Sequence, residues 1–437
     1  MVGVNLSVRF SVYRDPNQSH CDQRDIMCAE IKRAGGLDSV EVPFRPEELF
    51  YSRTDGRGVI AAGNSVFQRV SGIEWERLIG APHKIVRHPD MPQSLFRILW
   101  DALGKGNPMG AYVKNRGADG GFYWVYAVLL PVGDGYLSVR LKPSSSVFDT
   151  VRDAYRKIRA KEREGNFDLE NGAAMLRNMA AQWGFRSYSS LMAYAMGQEI
   201  SARDRSLGRE QDVLTKILLE LNDSLEKAAT EQNALLRSFD ALQSIPNNMR
   251  LVASRLEPSG GPVSAISENY KASSVGISDR LRSFVGGEGN LCEQMSREVA
   301  HALFLLGAER VLKEMIQTGD REPTPADIDW EVERKLLEQV RRECTAKACT
   351  ALTSGVEVAA ALSRSSADIR RQMLGLDTIR VLGRVECGRM REQGGGLSAA
   401  IDQLDTFHDD IKGRLAALMG LSETISAGMV SYLRLAA

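Results

Sequence analysis

Chemistry-capable residues crowd into one stretch, Pro82-His83-Lys84-Ile85-Val86-Arg87-His88-Pro89-Asp90-Met91-Pro92. Eleven residues hold three prolines, two of the chain's five histidines, an arginine and an aspartate. Proline fixes φ and removes a backbone donor, so the stretch reads as a shaped loop or a short broken helix. Stiff loops carrying charged groups either cap a turn or line a pocket. As a pocket wall, Arg87 offers a planar fork for a pyrophosphate or a ring carbonyl, and His88 a donor. Asn115, downstream, adds a paired donor and acceptor. In the plainer arrangement Arg87 pairs with Asp90 and His88 caps the following helix.

The elements that must position this loop form a small α+β module. Gly58 to Asn64 reads as a short strand ending in a Gly/Asn turn, and Val66 to Gly72 as one or two helical turns. After the loop, Ser94 to Lys105 has the pattern of an amphipathic helix. Gly110 to Asn115 and Gly121 to Leu130 read as strands joined by Arg116-Gly117-Ala118-Asp119-Gly120, and Asp-Gly between β-type runs signals a hairpin. Tyr136 to Leu141 makes a last strand.

Strand, short helices, helix and three-strand meander is the order of a PAS domain. The residues that make the likeness specific are Gly63-Asn64, Val70-Ser71-Gly72, Glu76 to Gly80, His83, Val86 to Pro92, Phe96, Trp100, Val113 to Arg116 and Tyr123-Trp124-Val125. Together they resemble the PAS domain of Aer-type aerotaxis receptors, over roughly residues 48–142. That resemblance implies non-covalent FAD and redox sensing. Its flavin-binding positions fall on His83, Arg87, His88, Asp90 and Asn115, with Asn64 as the turn asparagine and Trp100 as the helix tryptophan. Where the family carries a tryptophan before the fourth strand, this chain has Met109. No cysteine lies between Cys28 and Cys292, so no thiol within the module can form a photochemical flavin adduct. Its histidines sit on the Pro-rich loop rather than on a helix face, which disfavours haem.

The 437 residues carry 56 basic and 56 acidic side chains, which gives no electrostatic argument for nucleic acid or a membrane surface. No apolar run approaches the roughly 18 residues needed to span a bilayer. The first residues lack the apolar core of a signal peptide, so the expected compartment is the cytoplasm. Six scattered cysteines lack Cys-x-x-Cys spacing and read as reduced packing residues, with no metal site.

The expected layout is an N-terminal extension (1–44), the PAS module (45–142), a helical connector (143–205), a first helical block (206–319) and a second (326–437). In the connector, Ser187 or Ser189 can cap a helix whose apolar face is Leu191, Met192, Ala195 and Ile200. Leu214, Leu218, Leu221, Leu225, Ala228, Gln232, Leu235, Phe239 and Leu242 then recur at alternating spacings of four and three. Such a seam reads as a coiled-coil or bundle helix and implies self-association. In the second block, Val385 to Asp402 is similar to the hairpin tip of methyl-accepting chemotaxis proteins. Glu386, Arg389 and Glu392 match the family's charged tip positions, and Gly394 and Gly396 its turn. That resemblance implies a histidine kinase and coupling protein as partners, although no Glu-Glu or Gln-Gln methylation pair flanks the hairpins.

These observations converge on a PAS signal-transduction protein, an FAD-based redox or oxygen sensor with a helical output and self-association. A cofactor-free scaffold is the other class the sequence allows. After residue 145 only His301 and His408 remain, with no glycine loop, kinase or cyclase motif, so no enzyme is expected.

Overall fold

Alternating side chains on five short strands give this chain a sheet with two different faces. A computed structural model describes residues 40–164, 167–255, 261–285, 290–319, 328–389 and 395–436. The strands are β1 (Phe50–Thr54), β2 (Ile60–Gly63), β3 (Met109–Arg116), β4 (Phe122–Val132) and β5 (Gly135–Leu141). They pair antiparallel in the order β2-β1-β5-β4-β3. The anticipated Asp-Gly hairpin joins β3 to β4. Asp119 Oδ1 accepts from Gly121 N at 2.9 Å, and Gly120 takes the positive φ (89°) that a side chain disfavours. The strand pattern anticipated four strands, and β1 is the fifth. Its sequence, Phe-Tyr-Ser-Arg-Thr, places a serine and an arginine where a simple apolar alternation would put a second hydrophobic pair.

On the inner face, α1 (Ser65–Ser71), α2 (Trp75–Leu78) and a 3₁₀ turn at His83–Val86 cover a small core. It holds Phe44, Phe50, Ile60, Val66, Phe67, Val70, Ile73, Leu78, Val86, Tyr123 and Val125. Helix α3 (Gln93–Gly104) leads back to β3. On the outer face Tyr51, Tyr112, Tyr126, Leu137, Val139 and Leu141 join a second core that runs on into the helices.

That second core belongs to α4 (Ser146–Glu162), α5 (Leu169–Gln182), α6 (Tyr188–Ser206), α7 (Val213–Leu242), α8 (Ile245–Ser254), α9 (Gly261–Val285), α10 (Leu291–Gly319), α11 (Trp330–Arg389) and α12 (Gly395–Ala436). Ser187 caps α6 in a reciprocal box with Ser190, and Leu191, Met192, Ala195 and Ile200 are buried as their spacing implied. Sixty residues make α11 about 90 Å long at 1.5 Å per residue. It runs antiparallel to α12, and α7 and α10 complete a bundle around the pair. The seam inferred for self-association is consumed inside this bundle: Leu218, Leu221, Leu225, Ala228, Gln232, Leu235, Phe239 and Leu242 are all buried within the one chain. A heptad stripe encodes a partner helix, and here α10 and α12 of the same chain supply it. None of the described helices is long and apolar enough to cross a membrane. Residues 1–39 of the expected N-terminal extension lie outside the described residues.

Candidate functional site

The Pro-rich loop is stitched to the edge of the sheet. His88 N donates to Lys114 O at 3.2 Å, and Arg87 forms an isolated bridge with Asn115 of β3. The loop is therefore an irregular extension of the β3 edge, held by backbone bonds that its prolines do not interrupt. Its far end is tied to α4: Arg159 Nε donates to Pro89 O at 2.9 Å, and Glu162 accepts from Gln93 N and Ser94 N at the start of α3.

The loop's charged groups divide between two environments. Asp90 faces outward and pairs with Lys114 (2.8 Å) and Arg163 (2.9 Å) rather than with Arg87. Burial pushes its carboxyl up, but Lys114, His88 and Arg163 outweigh burial and hold it below its usual value. His88 is buried edge-on to Phe122, and its Nδ1 accepts from Asp90 N at 3.1 Å. With Nδ1 an acceptor, Nε2 is the ring's donor.

Inward of the loop lies a different set. The Arg87 guanidinium sits 3.3 Å above the Phe96 ring, and its buried Nε has no hydrogen-bond partner among the described residues. Burial lowers its pKa. His83 stacks face to face on Phe67, ring centroids 5.7 Å apart. Its Nε2 lies 2.6 Å from Arg140 Nη2, so it accepts that donor as neutral imidazole. Burial, and then the Arg140 charge, push His83 down to about 3. Arg140 itself, on β5, is only 4% exposed. Its Nη2 also donates to Ser52 Oγ (2.8 Å), and its Nη1 is buried without a partner. Burial lowers it to about 10. Tyr123 Oη and Ser138 Oγ, likewise buried, have no partner among the described residues.

Register places these groups on one face. Asn115 pairs with Tyr123, Ser52 with Ser138 and Phe50 with Arg140, and directly opposed residues point to the same side of a sheet. The structure thus brings His83, Arg87 and Asn115 towards the inner face. It turns Asp90 outward and fixes His88 within the loop. Asn64 is fully occupied: its Oδ1 accepts from Tyr51 N and Phe67 N, and its Nδ2 donates to Leu49 O, so it caps α1 and holds the β2 turn. Trp100, 45% exposed, packs on Tyr136 at the opposite end of β4 from Asn115. Met109 is buried in the larger core opposite Leu129. Sequence reasoning missed Arg140, Tyr123, Ser138 and Ser52. Their signal was alternation: Leu137, Val139 and Leu141 claim one face of β5, which leaves Ser138 and Arg140 on the other.

The inner face is wired to the helices through β1. Ser52 points inward to Arg140, while its neighbours Tyr51 and Arg53 point outward to Glu333 of α11. Arg53 grips that carboxylate with Nε at 2.9 Å and Nη2 at 2.6 Å, a two-pronged contact. Buried Glu199 of α6 makes a second attachment, accepting from Tyr112 Oη (2.7 Å), Ser145 Oγ (2.7 Å) and the amides of Ser144 and Ser145.

In the bundle, Glu386 and Arg389 occupy the last turn of α11 and pair with each other at 2.8 Å, the arginine 73% exposed. Glu392 lies outside the described residues, as does the Gly394 turn.

An antiparallel five-stranded sheet with short helices on its inner face, followed by helices on its outer face, is the architecture of a PAS domain joined to a helical region. Residues 60–136 match the family model for the PAS fold, and this part of the chain is a PAS domain. Among curated proteins the chain is similar to the aerotaxis receptor of Escherichia coli (strain K12), 31% identical over 160 residues. The match covers 34% of this chain and 32% of the receptor, so the chain spans about a third of that relative's length. Solved structures with some likeness include the LOV protein of Rhodobacter sphaeroides (17% identity, 37% of this chain and 93% of that one, TM-score 0.21). Another is a blue-light activated histidine kinase of Erythrobacter litoralis (9% identity, 68% and 88%, TM-score 0.22). Neither likeness is close enough to bear on function.

Proposed function

We propose that this chain is a PAS-based redox or oxygen sensor that holds FAD on the inner face of its sheet and reports through its helices to chemotaxis-type partners. On this reading it acts in the cytoplasm and is not an enzyme. The observation that carries the reading is the group of buried polar atoms there without partners among the described residues: Arg87 Nε, Tyr123 Oη, Ser138 Oγ and Arg140 Nη1. Buried donors are rarely left unpaired, because each costs about 1–3 kcal/mol. A ligand rich in acceptors removes that cost, and a flavin with its carbonyls and pyrophosphate fits the donor set. Resemblance to the aerotaxis-receptor PAS domain supports the same group.

Bound there, FAD would supply reversible electron uptake. The chain's own residues do the rest. Arg87 and Arg140 orient the ligand, and neutral His83 keeps Arg140 aimed by accepting from Nη2. Displacement of Arg140 pulls on Ser52. Because Ser52 sits between Tyr51 and Arg53, a shift of β1 is felt at Glu333 and so at the base of α11. A two-state change in helix packing then carries the signal to the far end of the hairpin, where Arg389 is exposed. The test is flavin content: denatured, purified protein should release close to one FAD per chain, and Arg87→Ala should release far less. Colourless protein that also refuses added FAD sinks the reading and favours a cofactor-free scaffold.

A further inference from the structure

Arg140 has no counter-ion among the described residues. It is buried, and no carboxylate among the described residues pairs with it; its two bonds go to neutral acceptors, His83 Nε2 and Ser52 Oγ. Its guanidinium carbon lies 5.4 Å from the Phe67 ring, a cation–π contact, and the buried Tyr123 phenol, pushed up by burial, stays neutral. Elsewhere among the described residues, buried Arg203 is neutralised by Glu314 at 2.6 Å, and half-buried Arg310 by Asp204 at 2.6 Å. A guanidinium removed from water without an opposite charge is expensive, so such a group persists where something else supplies the charge.

We propose that Arg140, which shares its sheet face with Tyr123 and Ser138, is the anion-recognition centre of the PAS interior and takes the negatively charged side of the ligand. It rests on the ligand-holding role given above to the inner face, and it adds a residue and a charge preference that the Pro-rich loop does not contain. Three consequences follow from the geometry. Arg140 is a liability in the ligand-free chain, because no carboxylate among the described residues balances its charge. A neutral replacement of similar length therefore leaves the ligand-free protein as stable or more stable, the usual trade between binding and stability. Ligand binding stabilises the native arginine protein in proportion to occupancy, and the replacement loses that gain.

The experiment measures Tm for the full-length wild type, Arg140→Met and Tyr123→Phe, each without ligand and with FAD or riboflavin, together with both affinities. Ligand-free Arg140→Met should melt at or above the wild-type temperature, and its FAD affinity should fall at least tenfold. Tyr123→Phe, which removes one donor and no charge, should weaken FAD by a smaller factor. If riboflavin is unaffected, the arginine faces the pyrophosphate, which supports the proposal. Equal weakening of riboflavin places it on a neutral ring carbonyl and overturns an anion-recognising Arg140. Unchanged FAD affinity in Arg140→Met overturns the proposal and leaves flavin binding intact. An Arg140→Met protein that melts well below wild type or fails to fold shows a structural arginine and also overturns it. Should the wild type take neither flavin, the flavin reading fails, and the ligand-free Tm comparison alone decides whether Arg140 is a charge awaiting an anion.

Discussion

Removing Glu333 should loosen the sheet from the helical hairpin by an amount that can be worked from its bonds. Glu333 is 3% exposed and accepts from the Tyr51 hydroxyl and from two nitrogens of Arg53. Burial, and then the Glu333 charge, push the Tyr51 phenol well above its usual value, so it is a donor at every working pH. In Glu333→Ala that buried hydroxyl loses its acceptor, at about 1–3 kcal/mol. Arg53, whose side chain is 32% exposed, can turn to water, so its loss is discounted to about 1 kcal/mol. The total is about 2–4 kcal/mol. Glu333→Gln keeps an acceptor for Tyr51 and should cost about half as much. Arg53→Ala alone strands a buried carboxylate, so the double mutant should be less harmful than the sum, with a coupling of about 1–2 kcal/mol. Urea unfolding followed by circular dichroism and by tryptophan fluorescence measures all four corners; Trp330 packs edge-on to Tyr51 at 5.4 Å. A Glu333→Ala protein within about 0.5 kcal/mol of wild type, or strictly additive mutants, would refute the attachment.

Three other outcomes are expected. The folded His83 value of about 3 lies below the unfolded value near 6.5, so the unfolded chain binds the extra proton between them. Stability is therefore lost as pH falls below about 6.5, and between pH 7 and 5.5 wild type should lose about 1 kcal/mol more than His83→Gln in denaturant titrations. Leu225→Glu puts a charge into a seam buried within one chain, so it should lower helix content and stability by several kcal/mol rather than dissociate an oligomer; sedimentation alongside circular dichroism separates the two. Arg389→Glu breaks only an exposed pair, costing less than about 0.5 kcal/mol, and should abolish pull-down of a chemotaxis-type kinase or coupling protein with helix content unchanged.

The Pro-rich loop and the Asp-Gly hairpin were legible because both are local: proline geometry and turn chemistry act within a few residues. The connector helix from Tyr188 was legible for the same reason, with Ser187 capping it as hydroxyl side chains do. What covers each helix was not legible. The α7 stripe has the period of a coiled coil, and period alone does not say that α10 and α12 of the same chain fill its groove. Within the site, Arg87 and His83 stood out as polar groups on a stiff loop. Arg140 did not, since an arginine on a strand normally marks a solvated face. Its burial follows from a sheet covered on both sides, which only tertiary structure reveals. Asn64 and Trp100 matched a family pattern, yet one is spent on capping and the other lies half in solvent.

Hydrogen exchange of the full chain, with and without FAD, tests most directly whether the inner face of the sheet speaks to the output hairpin. The account predicts altered protection at Phe50–Thr54 together with the first turns of α11 from Trp330, and loss of the α11 change in Glu333→Ala that still binds FAD. Bound FAD that alters protection around the PAS interior and leaves the amides from Trp330 onward untouched would contradict the account.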